Sequence, residues 1–349
     1  MRYAGVLAGV LWITSAGTAW AGPVVRAAAV AAPLTVQAVV DQFRADLGPN
    51  NGVAAGSQTG GRREINWDGG GPDPIFDGNL MTRFGGRGAF FRTSGTGFET
   101  SAATGPSVNF GDINPSYGSL FAPFSQPKLF IARNTNEMDV FFNVPGDLTV
   151  PAGVTGFGAV FTDVDRFSST RMQFFAPDGA LLFERDVPSA QGDKTQSFLG
   201  VSFDKGEIIG RVHIVSGNAA PGPDEAGALD LVAMDDFIYG EPVSTKGLVI
   251  SPSSGPIFQS GSFDLVIGVD SETPPIDARV TFDGAAATGG LASCFSAGAL
   301  RRGGTTFTCQ VPRELLTEGE HVVQVVITDV GQTSRRNAVR WSVIGASGQ

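Results

Sequence analysis

Four aspartates carry most of the chemistry this sequence can offer. Asp163 and Asp165 close the segment "GFGAVFTDVD", and Asp235 and Asp236 stand side by side in "DLVAMDDFIYGEP". In a strand successive side chains alternate between faces, so one of Asp235 and Asp236 must face whatever the strand covers. The same alternation puts Phe157, Ala159, Phe161, Asp163 and Asp165 on one face, where two carboxylates extend an apolar stripe. A buried ionised carboxylate costs several kcal/mol unless it finds a cation, hydrogen-bond donors or a proton. Hard oxygen ligands suit Ca²⁺, and outside the cell even millimolar affinity is enough. One expectation is therefore a calcium site built from Asp163, Asp165 and one of Asp235 and Asp236. The competing expectation is that these acids accept backbone N–H groups at strand ends or pair with Arg166, Arg171 or Arg211. The four acids lack the fixed loop spacing of a dedicated metal motif, which favours the second.

Other reactive arrangements fare worse. Glu64 and Asp68 in "RREINWDG" share a strand face, but an i, i+4 pair stands about 13 Å apart. Glycosidase carboxylates need about 5 Å or about 6.5–9.5 Å. The two histidines, His213 and His321, lie in separate strand sets, which opposes a Ser-His-Asp relay or a histidine zinc site. "GTGF" and "GGRG" are turns without the strand-to-helix context of a phosphate cradle. Catalysis is not expected, and an extracellular carbohydrate hydrolase is the least favoured function. For ligand contact, Tyr117 in "NPSYG" and Phe121 and Phe124 in "LFAPF" are the loop aromatics that could stack on a sugar ring; burial is their alternative. Trp67 and Trp341 read as core.

The elements that would position these groups are mostly strands. Residues 1–21 read as a secretory signal peptide: Arg2, an apolar run, then "TAWA" with small residues before the cut. Residues 22–33, small and unpatterned, read as a linker. "LTVQAVVDQFRADLG" spaces Val36, Val39, Val40, Phe43 and Leu47 as a helix, with Gly48 suited to end it. From about residue 62 the period becomes two, in many short strands; "FFAPDGALLFE" is a hairpin turning at Asp178-Gly179. After "YGEPVST" a second strand set runs through 247–345, so the expected division is 34–242 and 247–345. Cys294 and Cys309, the only cysteines, read as a disulfide whose loop of about 15 residues would add roughly 3 kcal/mol. With 48 glycines and a net charge of −10, the chain suits Gly-turned strands and opposes nucleic-acid binding. No later stretch is apolar and long enough to span a membrane.

Three resemblances follow from particular stretches. "GRREINWDG", "RGAFFRTSGTGF", "GFGAVFTDVD" and "MDDFIYGEP" together are similar to a recurring secreted bacterial module of unassigned role. "LLTEGEHVVQVVITDVGQTSRRNAVRWSVI" resembles the closing strands of bacterial immunoglobulin-like modules. The "DDF" strand looks like the last strand of jelly-roll carbohydrate-binding and adhesion domains. The expectation is thus a secreted all-β protein: a jelly-roll-like antiparallel sandwich with a short N-terminal helix, then an immunoglobulin-like sandwich. Its expected role is non-catalytic recognition or display outside the cell, with an extracellular glycan or envelope component as partner. A structural, matrix or adhesive component without a small ligand is the alternative.

Overall fold

A computed structural model describes residues 23–258, 263–270, 275–287, 304–329 and 334–344. The signal segment at 1–21 and Cys294 lie outside the described residues, so the Cys294–Cys309 pairing does too; Cys309 itself is buried.

The chain begins with β1 (Val24–Val30), α1 (Gln37–Leu47), β2 (Arg62–Ile65), β3 (Ile75–Asp77), β4 (Leu80–Met81), β5 (Ala89–Arg92), β6 (Gly97–Thr100) and α2 (Tyr117–Leu120). Next come β7 (Phe130–Arg133), β8 (Glu137–Val144), β9 (Asp147–Gly153), β10 (Gly156–Thr162), β11 (Arg171–Phe175) and β12 (Leu181–Asp186). Then follow β13 (Gln196–Ser202), β14 (Arg211–Val215), β15 (Ala233–Gly240) and β16 (Val243–Ser244). The second strand set holds β17 (Leu248–Ser251), β18 (Gly255–Phe258), β19 (Phe263–Val269), β20 (Pro275–Phe282), β21 (Ala285–Ala286), β22 (Thr305–Val311), β23 (Gly319–Asp329) and β24 (Ser334–Ile344). The protein is all-β, and its sheets are antiparallel apart from short parallel pairings of β16 and β18 with β24.

Two sheets face each other in the first strand set. One runs β1-β13-β10-β15-β7-β6-β3, with β2 also on β15; the other includes β12-β11-β14-β8 with β5 and β4. Their inner faces meet in a core that takes Phe157, Phe161, Phe130 and Phe237 from the first sheet and Phe91, Val140, Phe174 and Ile214 from the second. The outer face of the first sheet is also covered. Helix α1 lays Val40 and Phe43 on Val160, Phe198 and Ile238, and the 110–121 segment packs Phe110, Tyr117 and Phe121 on Leu231 and Ala233. That double cover explains why β15 is apolar on both parities. Glycine makes the helix seat possible: Gly158 and Gly200 are cross-strand partners, and a Cβ on Gly200 would come within 2.7 Å of the Phe43 ring.

One expectation changes here. Residues 22–33 are not simply linker: Val24–Val30 pairs in full register with Gln196–Ser202 as an edge strand. Ala-rich composition hides a strand whose position is decided by its partner. At the expected boundary, β16 bonds β9 on one side and β24 on the other. The second strand set has its own core around Leu265, Ile267, Val325 and Trp341.

Candidate functional site

Asp235 and Asp236 occupy a β-bulge. On β10, Ala159 faces Phe237 and the next residue, Val160, faces Asp235, which leaves Asp236 as the extra residue. A bulge sets aside the strict alternation of faces. Both carboxylates consequently reach the same hydroxyl, that of Ser125, at 3.2 Å and 2.7 Å, on the outer side of the sheet. Asp235 also accepts the backbone N–H groups of Phe124 (2.7 Å), Ser125 (3.0 Å) and Asp236 (2.8 Å). Asp236 pairs with Arg44 of α1 at 2.9 Å. Burial, then the charge of Asp236, raises Asp235 well above the usual carboxylate range, against the pull of those N–H donors. Burial also raises Asp236, while Ser125 and Arg44 oppose it. The pair fastens the 122–125 segment and the helix to the sheet.

The structure therefore separates Asp235 and Asp236 from Asp163 and Asp165, with which one of them was expected to share a calcium site. Asp163 lies three residues beyond Val160, roughly 10 Å along the strand from the level of Asp235. An arginine occupies the acid pair on β15, although it is Arg44 and not one of the three expected. Asp163, the residue after β10, has a left-handed backbone (φ 71°), so the strand alternation read from its sequence stops before it. Its carboxyl accepts the N–H of Lys194 at 3.2 Å through Oδ1, while Oδ2 is buried without a hydrogen-bond donor. Burial, then the carboxylates of Glu225 and Asp165, lifts its pKa to about 9. Asp165 is raised by burial and then by Asp230.

This shift fixes a sign. With no cation bound, the folded chain keeps a proton on Asp163 that an unfolded carboxyl releases near pH 3.8. Its contribution to stability is present at low pH and is lost as pH rises toward about 9. In EDTA, Asp163→Asn should gain on the parent protein between pH 5 and pH 8, at up to about 1.4 kcal/mol per pH unit, the limit for one proton. Urea titrations at several pH values measure the difference; a pH-independent gap would refute the assignment.

Two of the three expected ligand aromatics are in the core, and the third, Phe124, is half-buried. Tyr117 and Phe121 are fully buried under the 110–121 segment, their rings 5.2 Å apart, and the Tyr117 hydroxyl donates to Pro223 O. Phe124 packs at the edge of the α1 cluster. They are anchors for a segment that covers a sheet face, which is why loop-like composition misleads about them.

A different face presents aromatics to solvent. Three Phe–Phe doublets lie on β5, β8 and β11 of one sheet, and in each alternation sends one ring inward: Phe91, Phe142 and Phe174 are in the core. The other three, Phe90, Phe141 and Phe175, are half-buried on the open side. With Arg211 they form a continuous cross-strand row, Phe90–Phe141–Arg211–Phe175. Phe90 and Phe141 stack at 5.2 Å, Arg92 lies 5.3 Å from the Phe141 ring centre, and Arg211 sits 3.8 Å over Phe175. The adjacent row is polar: Arg92, Asp139, His213 and Gln173. Asp139 accepts from Arg211 at 2.7 Å and meets the His213 ring nitrogen at 3.1 Å. Burial works to raise Asp139, but these hydrogen bonds outweigh it and its pKa falls. A cleft of about 450 Å³ opens beside the row, lined by Phe90, Phe141, Leu148, Pro151, Pro177 and Arg211. The doublets in "GAFFRT", "MDVFFNVP" and "MQFFAP" were the available sequence signal, since neighbouring phenylalanines in a strand cannot both reach one core.

Comparison with solved structures finds a similarity to the N-terminal domain of the Streptococcus gordonii adhesin Sgo0707. The two share 8% identity, 81% of this chain and 84% of that chain are covered, and the TM-score is 0.20. No protein-family model and no curated protein matches the chain. Among the described residues no helix is long and apolar enough to cross a membrane.

Proposed function

We propose that this is a secreted, non-catalytic recognition or display protein, and that the open face of the β5–β8–β14–β11 sheet binds glycan at the cell exterior. The supporting observation is the row Phe90–Phe141–Arg211–Phe175 with its polar neighbour row. Half-buried rings offer an apolar surface to the C–H face of a sugar, and Arg92, Asp139, His213 and Gln173 offer donors and acceptors to its hydroxyls. The carboxylates that could have formed a catalytic pair on β15 are instead held by Arg44, Ser125 and backbone N–H groups.

A glycan array probed with the labelled protein tests the reading, followed by titration of any hit. Phe141→Ala should weaken binding by about 1–2 kcal/mol, five- to thirtyfold, because it removes the ring at the centre of the row. The melting temperature should change little, since that ring lies outside the core. A blank array together with a blank pull-down from envelope material would sink the proposal. Self-association without ligand would favour a structural component instead.

A further inference from the structure

At one end of the sandwich four carboxylates from two chain segments lie near one another: Asp163 and Asp165, and Glu225 and Asp230. Each is anchored through one oxygen by a backbone N–H. Asp163 accepts Lys194 N at 3.2 Å, Asp165 accepts Gly192 N at 3.1 Å, Glu225 accepts Leu231 N at 2.9 Å, and Asp230 accepts Asp165 N at 3.0 Å. Asp163 and Asp230 are wholly buried, and in both the second oxygen, Oδ2, meets no hydrogen-bond donor. The Asp163 carboxyl lies within hydrogen-bonding reach of the Glu225 carboxyl, so the group it faces is another acceptor. A cleft of about 240 Å³ reaches this cluster from solvent, lined by Asp165, Arg166, Gln191, Glu225 and Gly227. Arg166 offsets part of the charge at Asp165, but its guanidinium donates to the carbonyls of Leu229 and Gly227 and to no carboxylate of the cluster.

Two orphaned carboxylate oxygens in a buried acidic cluster call for a positive charge, because an unpaired buried acceptor carries its full desolvation penalty. We propose that Asp163, Asp165, Glu225 and Asp230 form a binding site for a calcium ion that ties the end of β10 to the 191–194 and 225–230 loops. The all-oxygen donor set, without His or Cys, suits Ca²⁺ and opposes zinc. Among the described residues no three such side chains are already gathered as a metal site. Like charges without a counter-ion repel, so cation entry is expected to draw the cluster together. A proton shared between Asp163 and Glu225 is the rival way to relieve the same pair. This inference stands on residues remote from the phenylalanine row and does not depend on glycan binding.

The test is calorimetric titration of the full chain with CaCl₂ at pH 7.5, beside melting curves in EDTA and in 5 mM CaCl₂. The expected results are a saturable binding heat and a melting temperature at least about 4 °C higher with calcium. Asp165→Asn and Asp230→Asn, isosteric and one charge poorer, should each weaken calcium binding at least tenfold. Superimposable melting curves and no binding heat would establish the shared proton and overturn the site. Full calcium binding by a folded Asp165→Asn, Asp230→Asn double variant would overturn the ligand assignment.

Discussion

Arg63→Ala should lower the unfolding free energy by about 3–5 kcal/mol, the cost of leaving one buried charge without its partner. Arg63 and Glu241 are both sealed from solvent, and the guanidinium grips the carboxylate at two points, Nε–Oε2 at 2.9 Å and Nη2–Oε1 at 2.7 Å. The arrangement extends further than a pair. Arg63 also donates to the carbonyls of Gly56 (3.0 Å) and Gly52 (3.3 Å), and Glu241 also accepts Asn51 Nδ2 (2.8 Å) and Gln58 N (3.0 Å). Each partner thus holds the 50–58 loop against the end of β15. Glu241→Gln should cost a similar amount. Replacing both residues by apolar ones of similar volume should cost less than either single change, because it removes the stranded charge. Urea denaturation of the two singles and the double provides the cycle; singles within 1 kcal/mol of the parent would show that the loop relaxes enough to hydrate the charge.

Trp67→Ala should cost about 3–5 kcal/mol, the range for deleting a large buried aromatic. The indole lies flat on Phe130 at 3.7 Å and 2°, with Phe84 and Phe237 meeting it edge-on at 5.2 Å and 5.1 Å. Its Nε1 is buried without an acceptor, so Trp67→Phe forfeits area and no hydrogen bond, and should cost about half as much or less. Residue 67 also holds φ at 62°, a conformation that alanine shares no more readily than tryptophan. Trp67→Gly should therefore recover a few tenths of a kcal/mol relative to Trp67→Ala. Thermal melts followed by circular dichroism measure the series; equal stability of Trp67→Ala and the parent would overturn the packing argument.

The strands and the one long helix were legible because they depend on local pattern. Helix α1 begins at Gln37 within the predicted span, and Asp178-Gly179 turns the β11–β12 hairpin as its dipeptide signals. What escaped depends on partners. β1 has the composition of a linker and becomes a strand because β13 offers an unpaired edge. The parity argument for Asp235 and Asp236 was sound for a regular strand, but a bulge gave both acids one face, and no residue in the segment announces it. Tyr117 and Phe121 sit in a stretch rich in turn residues, yet the second covered face of β15 draws them inward. The carboxylates Glu225 and Asp230 could not be grouped with Asp163 from spacing, because the fold brings together two segments some sixty residues apart. The phenylalanine row was not read from the sequence either, although its doublets carried the signal.

The strand β16 gives the molecule a mechanical property. The sheet that presents Phe90 and Phe141 is hydrogen-bonded through β8, β9 and β16 to β24, so backbone links the open face to the second strand set. Side chains fasten the same seam: Arg340 donates to Leu182 O at 2.6 Å, and Gln324 to Gly206 O at 2.9 Å. A pull on anything held at the open face would pass into the C-terminal half through these hydrogen-bonded strands and side chains.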